Sequence, residues 1–165
     1  MALRNVRQFG DPILRKECKP IKLVTPRIRT LAEDILDTMY DANGVGLAGP
    51  QVGIVKQIVV INITDDPENE LIMLNPIITE SSGEQTDNEG CLSYPGKAAE
   101  VTRPEHVVVE YDDLDMVHYE LEAEGLLARA ICHEVDHLHG IIYTDKAVGE
   151  VHDVNYEEEE AEEEE

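Results

Sequence analysis

Aromatic side chains are scarce in this sequence. No tryptophan is present, and aromatic residues make up 4% of the 165 residues. Hydrophobic residues still account for 42%, an ordinary share for a globular protein, so leucine, isoleucine, valine and alanine must fill the core. A chain of this length can bury such a core as a single domain without disulfide support.

Basic residues are also few. Lysine and arginine number 13 against 36 acidic residues, and the formal net charge is −23. Eight of the acidic residues are glutamates within 157–165, and removing these eight from −23 leaves −15. An acidic folded body excludes non-specific binding to nucleic acid or to anionic membranes. We expect one folded domain over 1–150 and a disordered acidic tail over 151–165, because its charges repel and apolar surface is missing.

Long apolar runs are absent as well, and cysteines are few. No segment is long and apolar enough to cross a bilayer, and the N-terminus has no signal-peptide apolar core. Cys18, Cys91 and Cys132 are an odd number in a chain without a signal, which fits a reducing compartment. We therefore expect a cytoplasmic protein with free or metal-bound thiols and no membrane contact.

Hydrophobic spacing predicts two helices. Thr25 and Pro26 are an N-cap and a first-turn proline, and apolar residues then recur at helical spacing until Asn43-Gly44. A second helix is predicted over about 125–139, and its apolar positions on most sides indicate burial. Strands are predicted over 57–62, 71–74, 77–78, 107–111 and 117–121, with loops over 44–53 and 81–88. These elements favour an α+β fold, with antiparallel or mixed sheets packed around the buried second helix.

The second predicted helix carries the run His133-Glu134-Val135-Asp136-His137. Residues four apart lie on one helix face, so both imidazoles can bind one metal ion while Glu134 points at its open position. Two histidines on an exposed helix would need no metal. In an apolar helix, two buried histidines and a glutamate need a partner, because unpaired buried polar groups are costly. We therefore expect a metal site here.

Two histidines leave this metal site short of a protein ligand. Cys91 is the preferred third ligand, because it lies in a turn-rich segment and a thiolate with two imidazoles suits Zn²⁺ or Fe²⁺. Cys132 is the rival, but it directly precedes His133 and projects about 100° away from it on a helix. The remaining cysteine and histidines are interpreted as structural or surface residues: Cys18, His106, His118, His139 and His152.

Three segments closely resemble the signature motifs of peptide deformylases. They are 44–51 (Gly-Val-Gly-Leu-Ala-Gly-Pro-Gln), 89–93 (Glu-Gly-Cys-Leu-Ser) and 133–140 (His-Glu-Val-Asp-His-Leu-His-Gly), and they stand in the family's order. The resemblance covers roughly residues 4–146, so residues 1–150 would form one catalytic domain. It implies removal of the formyl group from the N-terminal formyl-methionine of newly made bacterial proteins, with release of formate.

The resemblance also implies a role for each site residue. Cys91, His133 and His137 would bind Fe²⁺, with Zn²⁺, Ni²⁺ or Co²⁺ as substitutes. A metal-bound hydroxide would attack the formyl carbonyl with Glu134 as general acid/base. The amide of Gln51 and the backbone N–H of Leu92 would stabilise the oxyanion.

Six further residues match the family's substrate contacts. Gly46 and Gly90 permit close approach of an extended peptide, and the methionine pocket would be lined by Val45, Leu126, Arg129 and Ala130. Arg129 is unusual in an apolar wall, so it contributes its methylene stem or is instead a surface arginine. Formyl-methionine peptides on nascent chains are the expected partners, with transient ribosome contact and a monomeric state.

Two positions depart from the family pattern. Gly49 stands where many members have alanine, and Lys97 follows the cysteine segment where some members place a peptide-contacting arginine. Arg103 is a candidate to pair with Glu89 and support the cysteine segment.

Two other functions fit parts of the sequence. An HExxH peptidase would cut internal peptide bonds, but its zinc site usually takes histidine or glutamate as third ligand rather than cysteine. An inactive fold that binds ribosomes or nascent chains would not need Glu134, Gln51 and Cys91 together. The leading hypothesis is a metal-dependent formyl-peptide amidase.

Overall fold

The computed structural model describes residues 2–154 as an α+β fold with antiparallel sheets, which confirms this part of the predicted fold class. Its helices are α1 (Pro26–Asp41) and α2 (Gly125–His137). The strands are β1 (Gly46–Ala48), β2 (Ile58–Ile61), β3 (Leu71–Ser82), β4 (Gln85–Cys91), β5 (Tyr94–Arg103), β6 (His106–Asp112), β7 (His118–Glu124) and β8 (His152–Asp153). Short 3₁₀ helices cover Pro12–Arg15, Gly49–Val52, Pro67–Asn69 and Tyr143–Lys146.

The strands form two sheets. The larger has the order β1-β2-β3-β6-β7, and the smaller has the order β4-β5-β8. Every strand pair within them is antiparallel, so the mixed alternative does not apply to the sheets in the described range. No helix between residues 2 and 154 is long and apolar enough to cross a membrane.

The five-stranded sheet separates the two helices. Along β2, Val59 and Ile61 pack in the apolar cluster that includes α2, whereas Ile58 and Val60 pack in the cluster that includes α1. Successive side chains of a strand point to opposite faces of a sheet, so α1 and α2 lie on opposite faces. Because both faces of β2 are buried, its sequence is a continuous apolar run rather than an alternating one.

Local chemistry sets both ends of α1. The Thr25 hydroxyl accepts a hydrogen bond from the Ile28 N–H at 3.3 Å, and Pro26 fills the first helical position. At the other end Asn43 has a φ of 57°, and the Gly44 N–H donates to the Met39 carbonyl at 2.9 Å. The helix therefore leads directly into the glycine-rich segment that begins at residue 44.

The end of α2 depends on one glycine. Gly140 has a φ of 73°, and a Cβ at this position would lie 2.5 Å from the Arg15 carbonyl oxygen. Only glycine fits this contact and this backbone conformation. Since the Cys18 N–H also donates to the Leu138 carbonyl at 2.9 Å, the N-terminal segment holds the end of α2 in place.

Several predicted boundaries were wrong. The segment 44–53 was predicted as loop, but it contains β1 and the 3₁₀ helix Gly49–Val52. Residues 81–82 and 85–88 are strand rather than loop, because β3 and β4 continue to either side of Gly83 and Glu84, and Gly83 has a φ of 69°. The segments predicted as separate strands at 71–74 and 77–78 both belong to β3, which pairs with β6 through two register shifts. Bulges of this kind let one strand bend without ending.

The C-terminal segment also differs from the expectation. His152–Asp153 were assigned to the disordered tail, but they form β8 and pair with Lys97 and Ala98 of β5. The predicted disorder of the rest of the tail falls on residues 155–165, which lie outside the described residues.

Candidate active site

Three potential metal ligands converge where the end of β4 lies beside α2. The ligand atoms of Cys91, His133 and His137 all lie within 4.8 Å of one another, and Cys91 Sγ is 3.4 Å from His137 Nε2. Cys132, the rival ligand, is instead buried in the apolar cluster around α2, and burial raises the pKa of its thiol. The structure therefore brings together the preferred set of three and leaves Cys132 apart from it.

Different elements supply the thiol and the imidazoles. Cys91 ends β4, and Leu92 and Ser93 form the turn before β5 begins at Tyr94. His133 and His137 lie one turn apart on α2. Burial and the neighbouring His133 hold the pKa of His137 well below its ordinary value, so its imidazole is neutral, which is the form that binds a metal.

Glu89 orients His133. The His133 Nδ1 lies 2.8 Å from Glu89 Oε1, so Nδ1–H donates to the carboxylate and leaves Nε2 as the free ligand atom. Burial alone would raise the pKa of Glu89, but hydrogen bonds from Arg103 and His133 lower it to about 2. Glu89 is therefore a buried carboxylate held in its charged form.

Arg103 joins the strand that carries the cysteine to the helix that carries the histidines. Its Nε and Nη2 donate to the two Glu89 oxygens at 2.8 and 2.9 Å, which confirms the predicted pair. Its Nη1 donates to Asp136 on α2 at 2.6 Å. Asp136 also accepts from Lys146 at 3.0 Å. One buried guanidinium thus fixes β4 against α2 by charge-assisted hydrogen bonds.

Glu134 is buried beside the candidate metal site. Its side chain is 5% exposed, and its Oε2 has no hydrogen-bond partner among the described residues. Burial raises the pKa of Glu134 to about 7. Gly46 lies against this side chain, since a Cβ at residue 46 would be 2.9 Å from Glu134 Cγ. A carboxyl with such a pKa can accept and release a proton near neutral pH.

The Gln51 side chain is fixed at both ends of its amide. Its Oε1 accepts from the Ala48 N–H at 3.0 Å. Its Nε2 donates to Ser93 Oγ at 3.0 Å and to Cys91 Sγ at 3.3 Å. The amide donor therefore points at the candidate metal ligands rather than away from them.

A cavity of about 850 Å³ opens beside these groups. Its lining includes all six predicted substrate-contact residues, namely Val45, Gly46, Gly90, Leu126, Arg129 and Ala130. It also includes Gln51, Cys91, Leu92, His133 and Glu134. Val45 and Leu126 are 46% and 54% exposed, so the cavity offers uncovered apolar surface to a ligand.

Arg129 is buried, although the sequence analysis left open that it is a surface arginine. It is 6% exposed, and its Nη1 donates to Glu89 and to the Val101 carbonyl. Its Nη2 donates to the Gln85 carbonyl at 3.3 Å. Because the guanidinium is engaged in the interior while the residue lines the cavity, the surface interpretation is wrong and the methylene stem is the part left for the wall.

The two departures from the family pattern have local explanations. A Cβ at Gly49 would lie 2.8 Å from the carbonyl oxygens of both Ile54 and Lys56, so alanine does not fit here without a backbone shift. Lys97 lines the cavity but forms an ion pair with Asp153 of β8. Its ammonium group is therefore already paired with a carboxylate of β8.

The structure adds residues that the sequence did not single out. Ser93 accepts from Gln51, Asp136 accepts from Arg103, and Val6 and Tyr94 line the cavity. Ser93 and Asp136 lie within the segments 89–93 and 133–140, but no local pattern indicates their contacts or the positions of Val6 and Tyr94, because these depend on segments that are far apart in the chain.

Comparison with known proteins gives a consistent result. The family model described as polypeptide deformylase matches residues 3–152. The chain is 57% identical over 157 residues to a peptide deformylase of Agathobacter rectalis, covering 95% of this chain and 98% of that one. It is 57% identical over 163 residues to a peptide deformylase of Lachnoclostridium phytofermentans, covering 98% of this chain and all of that one.

Solved structures of peptide deformylases are also similar to this chain. A peptide deformylase from Legionella pneumophila superposes with a TM-score of 0.86 at 41% identity, covering 88% of this chain and 86% of that chain. A peptide deformylase from Acinetobacter baumannii, solved with Met-Ala-Ser bound, has a TM-score of 0.83 at 33% identity, covering 88% and 98% of the two chains.

Proposed function

The chain belongs to the polypeptide deformylase family, and from this membership we propose that it removes the formyl group from the N-terminal formyl-methionine of nascent polypeptides in the cytoplasm. The observation that carries the proposal is the convergence of Cys91, His133 and His137 beside a large cavity, whose lining includes Cys91, His133 and the buried Glu134. Water is consumed, the bond between the formyl carbon and the methionine nitrogen breaks, and formate and a free amine are released.

Cys91, His133 and His137 are the residues that would hold a divalent ion. They fit one, because the set combines a thiol with a neutral imidazole on His137 and an imidazole on His133 whose Nδ1 is taken by Glu89, so that Nε2 is its ligand atom. Fe²⁺, Zn²⁺, Ni²⁺ and Co²⁺ are all compatible with one sulfur and two nitrogen ligands. When bound, the ion lowers the pKa of water and polarises the formyl carbonyl.

Glu134 handles the protons of the reaction. Its pKa of about 7 allows its carboxylate to accept a proton from the attacking water and then deliver it to the leaving amine nitrogen. Gly46 leaves room for the carboxyl to face the cavity.

Gln51 and Leu92 stabilise the charge that develops on the formyl oxygen. The Gln51 amide is already oriented by Ala48 and Ser93, so little rearrangement is needed to donate to an oxyanion. The backbone N–H of Leu92, which directly follows Cys91, is the second donor. Loss of one such donor typically lowers kcat by about 100- to 1,000-fold.

The cavity accommodates the substrate's methionine and the residues after it. Gly46 and Gly90 allow an extended peptide to approach the backbone closely. Val45, Leu126 and Ala130, with the stem of Arg129, form the apolar wall for the methionine side chain. The Met-Ala-Ser peptide bound to the Acinetobacter baumannii relative supports peptide binding at this site. Contact with the ribosome would be transient.

A substrate-choice assay tests the proposal. Formate release is measured from formyl-Met-Ala-Ser, and acetyl-Met-Ala-Ser and a formylated peptide with an internal Met serve as comparisons. We expect formate from the first peptide, no deacetylation of the second and no internal cleavage of the third. Internal cleavage would instead support an HExxH peptidase.

A pair of variants connects the activity to the site. Glu134→Gln is expected to bind one metal per chain and to lose turnover, because the amide cannot accept the proton from water. Glu122→Gln changes the same functional group on an exposed position of β7 and is expected to keep full activity. A Glu134→Gln variant with normal turnover would refute the proton-transfer role.

A further inference from the structure

The N-terminal segment 2–9, called here the N-terminal arm, is attached to the body of the protein at both ends. At its start, the Ala2 N–H donates to Asp34 at 2.9 Å, and the Arg4 N–H donates to the Thr38 hydroxyl at 3.0 Å. Arg4 also pairs with Asp34 at 3.1 Å. These contacts fix the arm along α1, which leads into the glycine-rich segment at residue 44.

At its other end the arm contacts both loops that carry the proposed oxyanion donors. The Arg7 N–H donates to the Gln51 carbonyl at 2.7 Å, and the Phe9 N–H donates to the Ser93 carbonyl at 2.6 Å. Gln51 and Ser93 are themselves joined, since Gln51 Nε2 donates to Ser93 Oγ at 3.0 Å. The arm, the Gln51 loop and the cysteine turn therefore form a closed ring of hydrogen bonds.

The ring includes groups of the proposed catalytic site rather than surface residues alone. Gln51 Nε2 is 3.3 Å from Cys91 Sγ, and Ser93 directly follows Leu92, whose backbone N–H is the second proposed donor. A shift of the Ser93 carbonyl would move both donors relative to the sulfur. A displacement of about 1 Å in such groups can cost roughly 100-fold in rate.

Side chains of the arm reach the same region. The rings of Phe9 and Tyr94 are stacked with centroids 4.3 Å apart and an interplanar angle of 7°. Tyr94 lines the cavity, and so does Val6 of the arm. The arm thus contacts the cavity wall as well as the two loops.

We propose that the N-terminal arm is a positioning element of the active site, which holds Gln51 and the Leu92–Ser93 turn at their catalytic separation through the Phe9 N–H and the Arg7 N–H. The inference rests on the proposed function. The simpler interpretation is that the arm only covers α1 and stabilises the fold.

The local backbone conformation allows the role of the Phe9 N–H to be tested by a proline substitution. The Asp11 N–H donates to the Gln8 carbonyl at 2.9 Å, and Gly10 has a φ of 99°. These are features of a type II turn with Phe9 at the second position, where proline is favoured. Phe9→Pro therefore removes the N–H without opposing the turn. Phe9→Ala is the matched control, because it loses the same ring but keeps the N–H.

The first readout is turnover of formyl-Met-Ala-Ser by the metal-loaded variants. We expect kcat of Phe9→Pro to be about 10- to 100-fold below that of Phe9→Ala, with KM within about twofold. Thermal unfolding midpoints and metal content are expected to match between the two. Equal kcat values, or a difference in KM or unfolding midpoint alone, would overturn the positioning role.

The second readout does not require activity. In metal-free protein, the rate at which iodoacetamide alkylates Cys91 is followed by mass spectrometry, with the buried Cys18 and Cys132 as internal references. We expect the rates of Phe9→Pro and Phe9→Ala to differ several-fold, because displacement of the Gln51 amide changes both the access to the Cys91 sulfur and its hydrogen bond. Equal rates would overturn the proposal. A wild-type chain that releases no formate would refute the proposed function, while this comparison still tests the arm.

Discussion

Replacing Arg103 with methionine removes a guanidinium that makes three charge-assisted hydrogen bonds in the interior. Its side chain is 2% exposed, and that of its partner Glu89 is 4% exposed. Breaking a buried pair of this kind typically costs about 3–5 kcal/mol, because a charge is left uncompensated. Arg129 and His133 still face Glu89 after the change, so we expect a loss near the lower end, about 3 kcal/mol.

A double-mutant cycle with Glu89→Gln measures the coupling directly. Urea unfolding of metal-free wild type, both single variants and the double variant is expected to give a coupling energy of about 2 kcal/mol or more. The Arg29–Asp115 pair is the matched control, since its side chains are 51% and 72% exposed, and exposed pairs typically contribute below about 1 kcal/mol. A buried-pair coupling no larger than the control value would refute the reasoning.

Three further predictions concern the metal ligands, the cavity and pH. Cys91→Ala is expected to lose metal binding in equilibrium dialysis while Cys132→Ala retains it; the reverse result would exchange the ligand assignment. Gly46→Ala is expected to lower kcat at least about 10-fold, because its Cβ would press on the Glu134 carboxyl; unchanged formate release would contradict that contact. The Ala2 N–H and Arg4 lower the pKa of Asp34, so this group stabilises the fold above about pH 4 and the contribution is lost as pH falls further. The difference in urea midpoint between wild type and Asp34→Asn should therefore shrink from pH 6 to pH 3, and a constant difference would refute it.

The predictable parts of the fold are those specified by neighbours in sequence. α1 begins at Pro26, where the cap and the apolar spacing placed it, and β6 and β7 lie where strands were predicted over 107–111 and 117–121. The strand character of 81–82 and 85–88 was missed because their residues are polar. These residues become strand only by pairing with β5 and β6, which no local pattern reveals.

In the candidate site, too, the features set by local sequence were predictable and those set by long-range packing were not. The spacing of His133 and His137 on one helix predicted their convergence, because helix geometry is local. Only one of the three residues that contact Glu89 was predicted. Its pairing with Arg103 was expected, whereas its contacts with Arg129 and His133 depend on how β4 packs against α2. The roles of Val6 and Phe9 depend on the path of the N-terminal arm, which carries no periodic signal.

The most direct test of the central claim is X-ray absorption spectroscopy at the zinc edge of the zinc-loaded protein. Coordination by Cys91, His133 and His137 predicts one sulfur at about 2.3 Å and two imidazole nitrogens at about 2.0–2.1 Å, with a lighter donor completing the shell. A shell without sulfur, or a Cys91→Ala variant that keeps the sulfur signal, would contradict it.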